Sequence, residues 1–270
     1  MKLSLKITLA TKWNELTELQ LCEIATALDN YHKFKDCHPA EFQPTLYSKL
    51  YVVLVKNLLR TNNFFTVWFV LRKLEPEFYV EYVKFLCGEI ERTNFLGSFK
   101  HKGCTYFPPA NRLQNITIKE FSFVDSLYYN WRKSQDIRFL NMLCATLYRT
   151  TGPKDPFTVD IRKPFNKVFL DQDTPLLSSM NYKKKVAIAY CYEGCRNYIV
   201  KQYPTIFPKP IEQDPEEKVT TIQSYTPFLK LLHHKIQFDP SKLEQTQSLN
   251  LHDFFGPYEN ELKELKNQKP

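Results

Sequence analysis

Residues 113–131 read LQNITIKEFSFVDSLYYNW, and residues 13–31, one hundred positions earlier, read WNELTELQLCEIATALDNY. In each stretch a threonine precedes an apolar run with helical spacing, and a Gln or Glu follows three residues later: Thr17 with Gln20, and Thr117 with Glu120. This spacing is typical of a capping box, in which the two side chains satisfy each other's backbone N–H groups at a helix start. The two stretches therefore predict two amphipathic helices that begin in the same way.

The similarity extends along residues 10–36 and 110–136, which align without a gap. The identical pairs are Ala10/Ala110, Thr17/Thr117, Asn30/Asn130, Lys33/Lys133 and Asp36/Asp136. We interpret this as a degenerate internal duplication. The alternative is coincidence, because caps and apolar faces restrict any two such helices to the same few residue types.

Composition places these helices in a folded, mainly helical protein. Of the 270 residues, 43% are hydrophobic and 15% aromatic, which argues against intrinsic disorder. Gly is scarce at 6 residues, which disfavours glycine-rich phosphate loops, while the 17 Pro are enough to separate a series of helices. We expect a mainly α fold, a multi-helix body from two related helical arms, with a short N-terminal strand and a small β-hairpin.

The remaining elements follow from periodicity and turn residues. Alternation over Leu3–Leu9 predicts a strand, and Lys102-Gly103 predicts a hairpin turn at 99–107. The predicted domains are 1–98, the first arm; 99–209, the second arm; and 210–270, a linker with charged helices. The other predicted helices are Thr45–Leu59, Phe64–Leu74, Phe78–Gly88 (with Pro76 in a first turn), Phe139–Tyr148, Phe165–Leu170, Asn181–Tyr203, Thr226–Lys235 and Leu251–Leu265.

The charge balance leaves one alternative function open. The formal net charge is +8, from 37 Lys and Arg against 29 Asp and Glu. The densest basic run is Lys183, Lys184 and Lys185. It is either a solvated helix face or part of a basic groove for nucleic acid, so a nucleic-acid-binding accessory protein is one alternative reading.

The ends and apolar runs of the sequence indicate a cytoplasmic protein. MKLSLKITLATKW alternates polar and apolar residues and lacks a continuous apolar segment, so we expect no secretory signal. The longest apolar stretch, residues 51–71, is interrupted by Lys56, Arg60 and the TNN cluster, so we expect no membrane span. The 7 Cys have no disulfide-rich spacing, which is typical of reduced thiols.

Cys191 and Cys195 lie four residues apart on one predicted helix and so share a face. They are candidate zinc ligands, with His233-His234 or the group His32, Cys37 and His38 completing the site. We favour another explanation, in which Ala187, Cys191, Gly194 and Cys195 form a stripe of small residues that lets another helix approach closely. The sequence therefore predicts no metal and no cofactor, with a zinc-stabilised module or enzyme as an alternative.

Catalytic motifs give no support for an enzyme. Nucleophile-elbow, zinc-protease, Walker and Rossmann patterns are missing from the sequence. Asp155, Asp160 and Arg162 place carboxylates near a guanidinium, but we expect Asp160 to cap a helix and Arg162 to form a salt bridge or contact a partner. A non-enzymatic protein is the favoured interpretation.

Aromatic residues suggest how such a protein would work. Tyr128, Tyr129 and Trp131 are too close in sequence to be buried on one helix face, so one or two lie near the surface. The same holds for part of the set Phe64, Phe65, Trp68 and Phe69. Aromatic residues with Arg nearby are typical of protein–protein contacts. We predict Tyr129, Trp131, Arg149 and Arg162 as partner-binding residues.

Two stretches carry a family resemblance. The strand followed by KWNELTELQLCEIATAL resembles the opening of tail-assembly and other small morphogenesis proteins of tailed phages. Phe99–Phe207 resembles phage and prophage proteins of Bacteroidota at the following residues: Leu113, Thr117, Glu120, Phe121, Asp125, Leu147-Tyr148-Arg149, Asp160-Ile161-Arg162, Phe165, Gly194 and Tyr203-Pro204.

The resemblance implies a virion structural component, or a chaperone that holds an aggregation-prone tail protein during assembly. It implies other virion or tail-assembly proteins as partners, and a homo-oligomer is a further option. The expected location is the host cytoplasm, or the virion itself.

Overall fold

The structure is a computed structural model that describes residues 7–37, 43–73, 76–152, 160–208 and 239–267. Within these ranges it contains ten α-helices and one two-stranded antiparallel sheet. The predicted mainly α fold class is confirmed. No helix in the described ranges is both long enough and apolar enough to cross a membrane.

The chain divides into two compact units: residues 1–96 with 180–197, and residues 97–179 with 198–270. The predicted domain boundary at residue 98 lies close to the division between residues 96 and 97. The predicted boundary at residue 209 has no counterpart, because residues 198–270 all belong to the second unit. The division assigns most of the Asn181–Tyr203 helix to the first unit, and the C-terminal helices to the second. Residues 3–6 of the predicted strand Leu3–Leu9 and the whole of the predicted helix Thr226–Lys235 lie outside the described residues. The rest of the predicted strand, residues 7–9, is not in a strand.

The first unit is built from helices that begin and end near their predicted positions. They are α1 (Glu18–Cys37), α2 (Gln43–Leu59), α3 (Phe64–Lys73) and α4 (Val80–Cys87), with a 3-10 turn at Pro76–Tyr79. The predicted capping box is present at α1: Gln20 N–H donates to Thr17 Oγ1 at 3.3 Å, and Thr17 N–H donates to Gln20 Oε1 at 3.0 Å. The predicted apolar face of α1 is buried at Leu21, Ile24, Ala25 and Leu28.

The second unit begins with the predicted hairpin. Its strands β1 (Phe99–His101) and β2 (Cys104–Tyr106) pair antiparallel, with Phe99 opposite Tyr106. Lys102 and Gly103 have φ values of 45° and 81°, the left-handed geometry that a tight two-residue hairpin turn requires.

Helices make up most of the rest of the second unit. They are α5 (Ile118–Ser134), α6 (Ile137–Leu147), α7 (Lys167–Ser178), α9 (Leu243–Ser248) and α10 (Leu251–Asn267). Helix α8 (Tyr182–Gln202) belongs to the first unit up to residue 197. Helix α7 is longer than the predicted Phe165–Leu170 and contains Pro175. The carboxamide oxygen of Asn166 accepts a hydrogen bond from Val168 N–H and sets its start.

The charged C-terminal helix α10 packs within the second unit. Leu251, Phe254 and Phe255 are buried, and the Glu259 carboxylate accepts hydrogen bonds from Thr205 N–H and Ile206 N–H. The charged helix at the C-terminus therefore docks on other elements of its own unit.

The two predicted related helices share a threonine N-cap, but the full capping box predicted for both forms only at Thr17 and Gln20, because the Glu120 carboxylate faces Arg149 and Arg162 instead of the Thr117 N–H. Six equivalent pairs are buried in both: Trp13/Leu113, Leu16/Ile116, Gln20/Glu120, Leu21/Phe121, Ile24/Val124 and Ala25/Asp125. Thr117 Oγ1 accepts from Glu120 N–H at 3.2 Å, as Thr17 accepts from Gln20. Towards the C-terminus they diverge, since Trp131 is buried and Tyr31 is not. The duplication stays a prediction.

Candidate functional site

Helix α3 packs with one side and exposes four aromatic rings on the other. Val70 is buried, while Phe64, Phe65, Trp68 and Phe69 are 73%, 76%, 50% and 44% exposed. Residues at i, i+1, i+4 and i+5 lie on the same side of a helix. These four side chains, called the aromatic face below, confirm the expectation that part of this set lies near the surface.

Polar contacts fix the position of α3. The Asn63 side-chain oxygen accepts from Phe65 N–H at 2.9 Å, and the Asn63 carbonyl accepts from Val67 N–H at 3.0 Å. At the other end the buried Tyr79 hydroxyl donates to the Val70 carbonyl at 3.0 Å. A cap and a buried hydrogen bond thus hold the helix on its packed side, which leaves the aromatic face available.

The rings of the aromatic face contact each other and a cation. Phe64 and Phe65 meet edge to face, with ring centroids 5.9 Å apart. The Arg72 guanidinium lies 4.7 Å from the centroid of the Trp68 ring, within the range of a cation–π interaction. A charged group is therefore part of this otherwise apolar surface.

Neighbouring elements of the same unit also expose apolar side chains. They are Tyr47, Val52 and Val53 on α2, and Phe78, Val80 and Tyr82 around the start of α4. Single exposed apolar residues are ordinary, but groups of large apolar side chains on one surface mark interaction sites. The aromatic face is the densest such group among the described residues.

The predicted partner-binding residues lie elsewhere, in the second unit. Trp131, Arg149 and Arg162 are buried, with 1%, 6% and 3% exposure, and Tyr129 is half-buried. The three buried side chains offer almost no surface to a partner. Their role in partner binding stays a prediction that the structure does not support, and the aromatic face is the better candidate.

Arg149 and Arg162 instead form a buried ion cluster with two carboxylates. Glu120 lies 2.9 Å from Arg149 Nη1 and 3.2 Å from Arg162 Nη1. Asp160 lies 2.7 Å from Arg162 Nη2 and 3.7 Å from Arg149 Nη2. The salt bridge predicted for Arg162 is confirmed. Asp160 does not precede a helix, so the prediction that it is a helix N-cap is wrong, and Asp155 lies outside the described residues.

The two arginines of the cluster also cap the C-terminus of α6. Arg149 Nη1 donates to the Thr146 carbonyl at 3.0 Å, and Arg162 Nη1 donates to the Leu147 carbonyl at 2.7 Å. These carbonyls have no partner within the helix because they lie at its C-terminus. Burial lowers the pKa of Arg149. At Arg162 burial acts in the same direction, but Glu120 and Asp160 outweigh it and raise the pKa. The arrangement is that of a structural network.

The equivalent residue in the first unit, Gln20, also binds carbonyls at the end of a helix, but it is uncharged. Gln20 Nε2 donates to the Asn57 and Leu58 carbonyls at 3.2 Å and 3.0 Å, at the C-terminus of α2. In each unit the third residue of the capped helix thus reaches the end of the following helix. Gln20 binds those carbonyls directly, whereas Glu120 binds Arg149 and Arg162, which in turn bind them.

The Lys183–Lys185 run does not form an exposed basic patch. Lys185 is buried at 3% exposure, and Lys183 Nζ lies 2.7 Å from Glu23 Oε2. The nucleic-acid reading therefore gains no support from these three residues.

Cys191 and Cys195 are fully buried, and burial raises the pKa of the Cys191 thiol to about 12. A Cβ placed on Gly194 would lie 2.1 Å from the Arg92 carbonyl oxygen, so the predicted close approach at the small-residue stripe is confirmed. The approaching segment is irregular chain, not the predicted helix. Among the described residues no group of three or more His, Cys, Asp and Glu is placed to hold a metal. His38, His233 and His234 lie outside them.

Comparisons of the chain with protein-family models, with curated proteins and with solved structures gave no match.

Proposed function

We propose that this chain is a non-enzymatic binding protein that acts through protein–protein contacts, and that the aromatic face is its contact surface. The observation that carries the proposal is the exposure of four aromatic rings on one side of a helix that is otherwise well fixed. An aromatic side chain buries about 150–250 Å² when covered, and each Å² contributes about 25 cal/mol. Large aromatic anchors of this kind dominate the affinity of many interfaces.

The resemblance to phage and prophage morphogenesis proteins supplies a context for this contact. In that context the partner is a virion or tail-assembly protein, and the chain is a structural component or a chaperone of assembly. Support for this part is the set of matching residues in Phe99–Phe207. The aromatic face lies N-terminal to that stretch and supports the contact independently.

A pair of matched variants tests the proposal. Phe65→Ser removes the most exposed ring of the face, and Leu19→Ser removes an apolar side chain of α1 that is 66% exposed. Each is purified with a tag from the native host, beside wild type, and the co-purifying proteins are quantified by mass spectrometry. We expect proteins that are retained by wild type and Leu19→Ser and lost with Phe65→Ser. The same proteins in all three samples contradict the proposal.

A further inference from the structure

The charge on the aromatic face and on the helices next to it in the sequence specifies the chemistry of its partner, and this inference rests on the proposed function. Residues 43–73, which contain α2 and α3, include five basic side chains and no Asp or Glu. All five basic side chains are exposed: Lys49, Lys56, Arg60, Arg72 and Lys73. This excess is local, because acidic residues are common in the rest of the chain.

Most of these cations are unpaired within the part of the chain that the structure describes. Arg60 Nη1 lies 3.6 Å from Glu23 Oε1. For the other four, no carboxylate lies within salt-bridge distance among the described residues. Among the described residues, Arg72 on the aromatic face and its neighbour Lys73 thus have no carboxylate that would compete with one from a partner.

We infer that the partner is a protein segment that combines apolar side chains with Asp and Glu, such as an acidic amphipathic helix. The argument depends on Arg72, which lies on the aromatic face itself. A partner that covers Trp68 also removes water from the guanidinium above it, and a desolvated charge without a counter-charge is unfavourable. Apolar side chains cover the rings, and carboxylates pair with Arg72 and Lys73.

An acidic lipid surface carries the same negative charge as an acidic protein segment, but it fits the exposed residues of this unit less well. Glu81 is exposed between Val80 and Tyr82, two exposed apolar residues of α4 in the same unit. Anionic headgroups would repel this carboxylate wherever Val80 and Tyr82 enter the lipid. A protein segment places its carboxylates only opposite the cations.

Three synthetic helical peptides test the inference on the full chain. They share the same apolar positions at helical spacing and carry Glu, Gln or Lys at the flanking positions. Fluorescence anisotropy measures their affinity for wild type, for Trp68→Ala, and for the double variant Arg72→Gln/Lys73→Gln. Vesicles with and without phosphatidylglycerol, and sedimentation of the protein alone, are run beside them.

We expect wild type to bind the Glu peptide about tenfold more tightly than the Gln peptide, equivalent to a few exposed ion pairs. The Lys peptide binds more weakly than both. The preference decreases as salt rises to about 0.15 M, because the ion pairs are exposed to screening. In Arg72→Gln/Lys73→Gln the Glu and Gln peptides bind alike, and Trp68→Ala weakens binding of both.

The possible failures are distinct. Equal affinity for all three peptides, with binding still dependent on Trp68, overturns the acidic partner and leaves the proposed function standing. Binding that does not change in Trp68→Ala contradicts the proposed function. No binding of any peptide, binding to phosphatidylglycerol vesicles alone, or self-association through Trp68 each overturns the inference.

Discussion

The Arg72 guanidinium lies 4.7 Å from the centroid of the Trp68 ring, on the exposed side of α3. Trp68 is half exposed, so this contact is made at the surface, where a cation–π interaction contributes about 0.5–1 kcal/mol. That amount is small compared with the free energy that burial of the exposed aromatic rings would contribute. The contact therefore matters chiefly because it places a positive charge in the centre of an aromatic surface.

The rings of the aromatic face contribute little to folding, since they are exposed. We expect Phe65→Ser to change the free energy of unfolding by less than about 0.5 kcal/mol, measured by urea denaturation. Val70→Ala, on the packed side of the same helix, is the control and should cost about 1–3 kcal/mol. A large loss of stability in Phe65→Ser would show that this ring is buried in solution.

The buried ion cluster predicts a large effect from a small change. Glu120→Gln keeps the shape of the side chain but removes the carboxylate that faces both Arg149 and Arg162. Removal of one partner from a buried ion cluster costs about 3–5 kcal/mol, because the charges left behind are uncompensated. Denaturant unfolding measures this loss. Asp136→Asn, which changes an exposed pair with Arg138, is the control and should have a much smaller effect. Equal losses in the two variants would contradict the cluster.

Substitution by Ala should have different effects at two glycines in helices. A Cβ on Gly194 meets the Arg92 backbone, with its carbonyl oxygen at 2.1 Å, so Gly194→Ala should destabilise the fold by about 1–3 kcal/mol. A Cβ on Gly256, in α10, meets nothing within 4 Å beyond its chain neighbours, but Pro257 follows directly and disfavours a helical backbone in a preceding residue that has a Cβ, so Gly256→Ala should change the stability by less than about 1 kcal/mol. Melting temperatures of the two variants decide this, and a stable Gly194→Ala protein would contradict the close approach at the small-residue stripe.

Glu259 predicts a dependence of stability on pH. Burial acts to raise the pKa of its carboxyl group, but hydrogen bonds from Thr205 and Ile206 outweigh it and lower the pKa below its ordinary value of 4.5. Because the pKa is lower in the folded state, its contribution is complete above the unfolded value and is lost as pH falls through the folded value. The melting temperature of Glu259→Gln should lie below wild type at neutral pH, and the gap should close in acid. A gap that is constant down to pH values well below 4 would contradict this assignment.

Local sequence signals predicted the helices well because their causes are local. Thr17 with Gln20 and the Lys102-Gly103 turn act within a few residues, so their geometry follows from the sequence. The start of α10 was predicted for the same reason. Helix α7 was underestimated, since the prediction ended it at Leu170 whereas the helix continues through Pro175 to Ser178.

The ion cluster depends on contacts between distant positions and was therefore missed. Glu120, Arg149 and Asp160 come from three separate segments, so no local pattern shows that Glu120 faces two arginines. The reading of Asp160 as a helix cap failed for this reason. Without that knowledge, Arg149 and Arg162 resembled the exposed arginines of a contact surface.

The aromatic face was only partly predictable. The run FFTVWF shows that some of its rings must be exposed, since one helix side cannot bury them all. Which side is exposed depends on the burial of Val70 and on the bond from Tyr79, which joins α3 to the turn before α4. That contact is tertiary and has no signature in the local sequence.

The central claim is that a partner protein covers the aromatic face, and cross-linking mass spectrometry on the tagged chain from its native host tests it most directly. Lys73 is exposed on α3, the helix of the aromatic face, and Lys56 and Lys84 are exposed on α2 and α4, the helices that precede and follow it in the sequence. We predict that cross-links to a partner concentrate on these three lysines and are lost in Phe65→Ser. Cross-links confined to lysines of the second unit, such as Lys119 and Lys167, would contradict the account.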